Sequence, residues 1–101
     1  MEKQEAATGI RPEVLTEIAD LARTHRINKV ILFGSRARGD FHRTSDIDLA
    51  TTGGRHAQFA LDVDELTSTL LRYDFVDLDS AVQQELRESI EREGIVIYEK
   101  I

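Results

Sequence analysis

Residues 34–48 carry the side chains of this sequence that are best suited to chemistry. Gly34 and Ser35 end an apolar run, ten residues separate Ser35 from Asp46, and Asp48 stands two positions further on. A tight glycine turn can bring backbone N–H groups against phosphate oxygens. Aspartates at positions i and i+2 of a strand share one face, and such carboxylates suit Mg²⁺, which completes its coordination shell with water and substrate phosphates. The spacing therefore predicts a site for nucleotide chemistry.

The charges of the chain are unevenly distributed around these residues. Residues 22–43 hold six lysines and arginines against one acid, Asp40, whereas residues 44–101 hold five against thirteen acids. A basic segment beside an acidic body fits a triphosphate held between arginines and a carboxylate-bound metal, and scattered solvated charge is the alternative interpretation. The net charge of −6 argues against a general nucleic-acid binder, because neutralising phosphates requires a basic surface.

Length and composition limit what the chain can be. With 101 residues, it is expected to form one domain over 1–101, of which the polar residues 1–9 are disordered. The absence of cysteine excludes disulfides and thiolate metal sites. His25, His42 and His56 lack partners at ligand spacing, which argues against a zinc site. There is no apolar run of membrane-spanning length and no signal peptide, so a cytoplasmic location is expected.

The spacing of apolar residues predicts alternating helices and strands. Pro12 suits the first turn of a helix, and the apolar stripe that follows it runs to Ala22. A buried strand then ends at Phe33. The remaining segments are a short helix from 35 to 40, a strand over 46–52, a helix over 57–71, a strand over 73–78, a helix over 83–93 and a strand over 95–98. This order predicts a small α/β domain.

Some of these segments carry specific expectations about burial. The strand over 46–52 is predicted to be half-buried, with Asp46, Asp48 and Ala50 on the side opposite Ile47 and Leu49. Tyr73 and Phe75 are expected to pack in the core rather than to stack on a base. Two helices are expected to turn these apolar side chains inward: Phe59, Ala60, Val63, Leu66, Leu70 and Leu71 in the first, and Leu86 and Ile90 in the second.

Gly34 and Ser35 followed by Asp46-Ile47-Asp48 resemble the signature of the polymerase-β-like nucleotidyltransferases. The flanking residues, Ile-Leu-Phe before the glycine and Leu-Ala after the second aspartate, are similar to the minimal branch of that superfamily, the MNT proteins. The resemblance also covers residues 73–79 and 92–98, and so extends over about residues 12–98. It implies the polymerase-β-like fold, an α/β (α+β) domain in which helices flank a small mixed β-sheet.

The resemblance also implies roles for particular residues. Ser35 and the backbone after Gly34 would hold the β- and γ-phosphates of a nucleoside triphosphate, although Ser35 also has a structural interpretation as a helix N-cap. Asp46 and Asp48 would hold two Mg²⁺ ions that bridge the triphosphate. Three arginines are candidates to neutralise the leaving pyrophosphate: Arg36, Arg38 and Arg43.

The family uses a third carboxylate, which comes from a neighbouring strand, binds the second metal and helps to deprotonate the acceptor hydroxyl. Asp74 and Asp77 are both candidates here. Because they lie three residues apart on a strand, they face opposite sides and only one can serve. Alignment with the family's usual block favours Asp74, and leaves Asp77 as a surface residue or a helix-capping partner.

The reaction that the resemblance implies is attack by an acceptor hydroxyl on the α-phosphorus of a nucleoside triphosphate. A chain of 101 residues has no room for an acceptor-binding domain, so a partner is expected to supply the acceptor. The resemblance points to the MNT/HEPN toxin–antitoxin pairs, in which the MNT antitoxin transfers AMP from ATP to a tyrosine of the HEPN ribonuclease toxin. No direct contact with nucleic acid or membrane is expected.

Several alternatives remain open at this point. The protein could be an antitoxin that neutralises its partner by occupancy alone, keeping the site as a relic. It could also be the catalytic subunit of a small-molecule nucleotidyltransferase whose substrate domain is a separate chain. Neither the base of the nucleotide nor the formation of a homo-oligomer is decided by these motifs.

Overall fold

The computed structural model describes residues 7–101, in which helices and strands alternate along the chain. The elements are α1 (Pro12–Thr24), β1 (Lys29–Phe33), α2 (Ser35–Arg38), β2 (Ile47–Thr52), α3 (His56–Leu66), β3 (Tyr73–Asp77), α4 (Gln84–Glu93) and β4 (Ile95–Glu99). This is the order that the sequence predicts. None of the described helices combines the length and apolar character needed to cross a bilayer.

The strands form one mixed sheet in the order β3-β2-β1-β4. β1 pairs antiparallel with both β2 and β4, whereas β2 and β3 are parallel and are joined through the crossover helix α3. The predicted small mixed sheet with flanking helices is therefore confirmed. As a result of this topology, the end of β1 and the starts of β2 and β3 meet at one edge of the sheet.

The main hydrophobic core lies between one face of the sheet and the helices α1 and α3. The apolar stripe of α1 is buried, as its spacing predicts, and α3 adds Phe59 and Val63. Tyr73 and Phe75 pack against this core, which confirms their expected role. Its buried members are Ile10, Val14, Leu15, Ile18, Ala22, Ile27, Val30, Leu32, Ile47, Leu49, Phe59 and Val63. Each buried side chain of leucine or isoleucine size contributes about 1.5–3 kcal/mol by leaving water.

A second, smaller core covers the other face of the sheet. Ala50 of β2, Leu78 and Ile90 of α4 are its buried members, and Ile31, Phe33 and Val76 pack against them. β2 is therefore covered on both faces, and the prediction of a half-buried strand was wrong at Ala50. The reason is that α4 packs over the face on which Asp48 also lies, a contact that period-two spacing within β2 cannot show.

The predicted helix over 57–71 is shorter in the structure, where it ends at Leu66. The hydroxyl of Thr67 donates to the carbonyl of Val63 at 2.7 Å, and the chain then becomes extended. Ser68 is held through its N–H and its hydroxyl by the carboxylate of Glu17 on α1. Leu70, beyond the end of the helix, is therefore fully exposed; Leu66 at the end of α3 and Leu86 on α4 are also exposed. The prediction that these three leucines point inward was wrong.

The segment that precedes α1 belongs to the packed structure from Thr8 onward. Residues 1–6 of the region predicted to be disordered lie outside the described residues. Thr8 is 2% exposed, and its hydroxyl accepts the N–H of the equally buried Ile10 at 3.3 Å. The expectation of disorder was therefore wrong at Thr8, because a polar residue can be buried where other groups satisfy its hydrogen bonds.

Candidate functional site

The Gly34 turn stands directly against the carboxylate of Asp48. Gly34 follows β1 with φ +75° and ψ −156°, a conformation that L-residues rarely adopt. A Cβ atom built on Gly34 would collide with Oδ2 of Asp48. Glycine is therefore required here for two independent reasons. The structure brings the predicted phosphate turn and one predicted metal-binding acid into contact.

Ser35 is the first residue of the short helix α2. Gly34 occupies the N-cap position, and no side chain caps the helix. The carbonyl of Gly34 accepts the N–H groups of Ala37 and Arg38, both at 3.1 Å. The N-cap interpretation of Ser35 is therefore wrong. Half-buried beside the turn, Ser35 remains a candidate for contact with phosphate.

Asp46, Asp48 and Asp74 lie at the same edge of the sheet. Asp48 is the second residue of β2 and pairs with Phe33 on one side and with Asp74 of β3 on the other. Asp46 stands one residue before β2. Because directly paired residues present their side chains on the same face, the register puts the carboxylates of Asp48 and Asp74 next to each other.

Asp77, the other candidate for the third acid, lies at the far end of β3. It pairs with Thr51 rather than with Asp48. Its carboxylate accepts the N–H of Asp79 at 3.0 Å, and its carbonyl accepts the N–H and the hydroxyl of Ser80. The structure thus gives Asp77 a role in the turn after β3 and places Asp74 with Asp46 and Asp48.

Asp48 lies in an environment that disfavours its charge. Burial, followed by the neighbouring charges of Asp74 and Asp46, raises the pKa of Asp48 to about 6, and Arg38 and Arg36 oppose this only in part. A half-buried carboxylate surrounded by like charges is stabilised by a bound cation. The local electrostatics therefore fit a cation at this edge.

The donor set defines which cation would fit. In the part of the chain that the structure describes, no three His, Cys, Asp or Glu side chains converge closely enough to form a complete protein cage for a metal. Mg²⁺ does not need one, because it is commonly held by one or two carboxylates together with water and substrate phosphates. One or two of the aspartates at this edge, with Asp48 among them, fit a Mg²⁺ ion that shares its shell with a triphosphate.

Arg36, predicted to bind phosphate, lies instead in the interior, where it is 1% exposed. Its guanidinium donates to four backbone carbonyls: Thr8 at 2.9 Å, Ser45 at 3.0 Å, Arg43 at 3.1 Å and His42 at 3.4 Å. The prediction that Arg36 could neutralise the leaving pyrophosphate was wrong, because its guanidinium is enclosed in the interior. A buried arginine cannot be distinguished by sequence from its exposed neighbours.

Arg38 and Arg43 are the exposed arginines of the region. Arg38 forms ion pairs with Asp40 at 3.3 Å and with Glu93 of α4 at 3.6 Å. The hydrogen bond and charge of Asp40, supported by Glu93, raise the pKa of Arg38. Arg43 is exposed in the loop before β2. Glu93, which sequence reasoning did not single out, thereby connects α4 to this edge.

Two clefts of the described chain lie elsewhere. One of about 560 Å³ is lined by Arg23, Thr24, Arg26 and the residues from Tyr98 to Ile101. Another of about 580 Å³ is lined by Arg11 and residues 67–70. Neither is lined by the three aspartates, of which Asp46 and Asp74 are exposed at the edge of the sheet.

Comparison with known proteins identifies the family of this chain. The profile of the family described as "Polymerase beta, Nucleotidyltransferase" matches residues 16–101. A candidate protein adenylyltransferase of Methanocaldococcus jannaschii is 42% identical over 60 residues, which are 59% of this chain. The match spans 57% of that relative's length.

Solved structures show the same fold. A chain of a toxin–antitoxin crystal structure with AMP-PNP superposes with a TM-score of 0.69 and 26% identity, over 85% of this chain and 73% of that one. A chain from the complex of a tri-AMPylated HEPN toxin with an MNT antitoxin of Shewanella oneidensis superposes with a TM-score of 0.63 and 21% identity. That match covers 86% of this chain and 71% of the other.

Proposed function

We propose, since this chain belongs to the polymerase beta nucleotidyltransferase family, that it is a Mg²⁺-dependent enzyme that transfers AMP from ATP to a tyrosine of a HEPN ribonuclease toxin. In this role it acts as the antitoxin of the pair. The observation that carries the proposal is the contact between the Gly34 turn and Asp48, with Asp74 paired beside it. A phosphate cradle and paired acids at one edge are the parts that this transfer requires.

Each part of the site has a chemical role in the proposed reaction. Asp46, Asp48 and Asp74 would hold Mg²⁺, which when bound neutralises charge on the attacking and leaving oxygens. The backbone at Gly34 and Ser35 holds the β- and γ-phosphates, so that the α-phosphorus faces the acids. This arrangement fixes the geometry of the triphosphate before the acceptor arrives.

The transfer itself exchanges one phosphorus–oxygen bond for another. The tyrosine oxygen attacks the α-phosphorus, the bond to the β-phosphate breaks, and pyrophosphate leaves with the electron pair. Asp74 is exposed at the edge of the sheet, where it can take the proton of the incoming hydroxyl. Arg38 and Arg43, the exposed cations of the region, are placed to neutralise the pyrophosphate, whereas Arg36 is not.

The proposed partner is supported by the relatives and by the exposure of Asp46 and Asp74. One related structure contains AMP-PNP, and another contains an AMPylated HEPN toxin with its MNT antitoxin. A tyrosine on a flexible segment of a helical partner can enter an edge that no deep cleft encloses. These observations support a protein as the acceptor and ATP as the donor.

Intact-mass spectrometry of the partner tests the proposal directly. The HEPN-type protein encoded beside this chain is incubated with the protein, ATP and Mg²⁺, and its RNA cleavage is followed in parallel. We expect the mass to rise by one or more AMP units as cleavage stops. Both effects should disappear with the double variant Asp46→Asn/Asp48→Asn.

The matched control removes two acids that lie away from the site. Asp64→Asn/Glu65→Gln, on the exposed side of α3, changes the net charge equally and should leave the transfer intact. If the Asp46→Asn/Asp48→Asn variant silences the partner as well as the wild type does, and the partner's mass never changes, then the protein acts by occupancy and the proposal of transfer is wrong.

A further inference from the structure

We infer that Arg36 is a positioning residue, whose buried guanidinium fixes the segment that delivers Asp46 and Asp48 to the site. The inference rests on the proposed function for the identity of those acids. Its starting point is that one of the fully buried side chains beside the site is a cation, which does not reach the surface. Arg36 heads the fully buried side chains of the described chain by volume.

The bonds of Arg36 converge from two separate parts of the chain. Its Nε donates to Ser45, and its Nη2 donates to Arg43 and His42, in the loop that leads into β2. Its Nη1 donates at 2.9 Å to Thr8, in the segment before α1. Four bonds from one planar group therefore join the loop over 42–45 to the segment around Thr8.

Packing around the guanidinium leaves it little freedom to move. The ring of Phe41 lies 4.9 Å from its central carbon, a distance at which cation and ring attract each other. A Cβ atom at Gly9 would collide with both Phe41 and Nη1 of Arg36, so the backbone at Gly9 borders the pair closely. The guanidinium is thus packed against a ring and beside a glycine backbone, which leaves it little room to turn.

Filling space in the core does not by itself explain why position 36 holds an arginine. Burying a charge costs several kcal/mol unless close partners compensate it, and within residues 7–101 Arg36 forms no ion pair with an acid. An apolar side chain would fill the space without that cost. What only arginine supplies is a rigid fork of five N–H donors, which matches carbonyls that arrive from several directions.

The loop that Arg36 holds ends where the site begins. The N–H of His42 donates to the hydroxyl of Ser45 at 2.8 Å, and the N–H of Ser45 returns a bond to the carbonyl of His42 at 3.1 Å. Asp46 follows Ser45 directly. A shift of this turn therefore moves Asp46 and the start of β2, and a displacement of about 1 Å at reacting groups can cost roughly 100-fold in rate.

Two substitutions separate positioning from the other roles that an arginine could have. Arg36→Lys keeps the charge but loses the fork, and Arg36→Met keeps the length but loses both. We expect kcat for transfer to fall about 100-fold in both variants, with KM for ATP changed less than about threefold because the Gly34 turn and the exposed arginines are intact. Full rescue by lysine, or a raised KM with kcat preserved, would overturn the inference.

A matched variant controls for lost stability. Ile18→Val, in the main core, lowers the melting temperature without touching the loop, so it should leave kcat unchanged while folded. Hydrogen exchange at the amides of His42 and Ser45 provides a second measurement that does not depend on catalysis. We expect faster exchange in Arg36→Met and wild-type exchange in Ile18→Val.

The two measurements also keep this inference apart from the proposed function. If the wild type transfers no AMP, the proposed function fails, and loop exchange still decides whether Arg36 fixes the approach to Asp46. If transfer occurs but neither kcat nor loop exchange responds to Arg36→Met, then Arg36 does not position the site.

Discussion

The carboxylate of Asp48 is held in an unfavourable environment before any ligand arrives. It is half-buried, touches the Gly34 turn and faces two further acids. Sites that bind charged ligands commonly carry such a cost in the free state, because the ligand relieves it. For Asp48 the cost should be measurable as lost stability in the absence of metal.

Removal of the Asp48 charge is therefore expected to stabilise the metal-free protein. The folded pKa of about 6 lies above the ordinary value of 3.8, so the folded state holds the proton more tightly and wild-type stability falls as pH rises between these values. The Asp48→Asn variant has no charge at this position and therefore does not lose stability in this way as pH rises. Its advantage in melting temperature should be small near pH 4, grow toward pH 6 and stay constant above it.

Thermal unfolding with a chelator, measured from pH 4 to pH 8, tests this expectation. Glu65→Gln, which removes an exposed acid from α3, serves as the control and should show no comparable trend. An advantage for Asp48→Asn that is the same at pH 4 and pH 8 would contradict the assignment of a strained carboxylate.

At the scale of single residues, what could be predicted depended on local spacing. Gly34, Asp46 and Asp48 follow from a turn signal and an i, i+2 pair, and the structure brings all three to one edge. The buried position of Arg36 could not be predicted in this way. The three carbonyl partners that are nearest to it in sequence belong to a loop without regular spacing. Its fourth partner, Thr8, is distant in sequence.

At the scale of the elements, the register between β2 and β3 determines which aspartate of β3 lies beside Asp48 and is proposed as the third carboxylate of the site. The parallel pairing sets Asp48 against Asp74 and Thr51 against Asp77. We therefore expect Asp74→Asn to reduce AMP transfer by at least about 100-fold, the usual lower range for loss of a proton-transfer group. Asp77→Asn should retain most activity, since an amide oxygen can still accept the N–H of Asp79.

Initial rates at saturating ATP and Mg²⁺ distinguish the two variants. Circular dichroism of both proteins provides the check that β3 and its following turn remain folded. Loss of transfer in Asp77→Asn, together with a fully active Asp74→Asn, would mean that the register of β3 does not decide the chemistry.

The order of elements was predictable from apolar periodicity, whereas their ends and coverage were not. α3 ends at Leu66 because Thr67 and Ser68 find partners on β3 and on α1, and both partners lie outside the helix that the spacing predicts. Ala50 is buried because α4 covers it. Apolar periodicity indicates which face of a helix or strand is buried. It does not indicate whether a distant segment of the chain packs over the opposite face.

At the scale of the whole molecule, metal and nucleotide should stabilise the fold only in combination. No complete metal cage exists within residues 7–101, so Mg²⁺ alone has too few ligands, and the triphosphate alone meets repelling acids. At a concentration of Mg²⁺·ATP 100 times its dissociation constant, the gain should be about 2.7 kcal/mol. For a domain of this size that corresponds to a rise in melting temperature on the order of 10 °C.

Differential scanning fluorimetry with Mg²⁺, ATP, both or neither checks this expectation, with Asp46→Asn/Asp48→Asn as the variant that should not respond. An equal shift with ATP in the presence of a chelator would argue against a shared metal shell.

The pairing of β1 has a consequence for how the protein is made. β1 is flanked by β2 and β4, and Leu32 pairs with Ile95, so one neighbour of this strand is synthesised only after the other three strands. Pairings between residues so far apart close slowly. While the chain is still on the ribosome, β2 can already pair with β1, but the other side of β1 stays unpaired until residues 95–99 emerge. The nascent protein therefore passes through a stage with an open, apolar strand edge, which a chaperone can protect from aggregation.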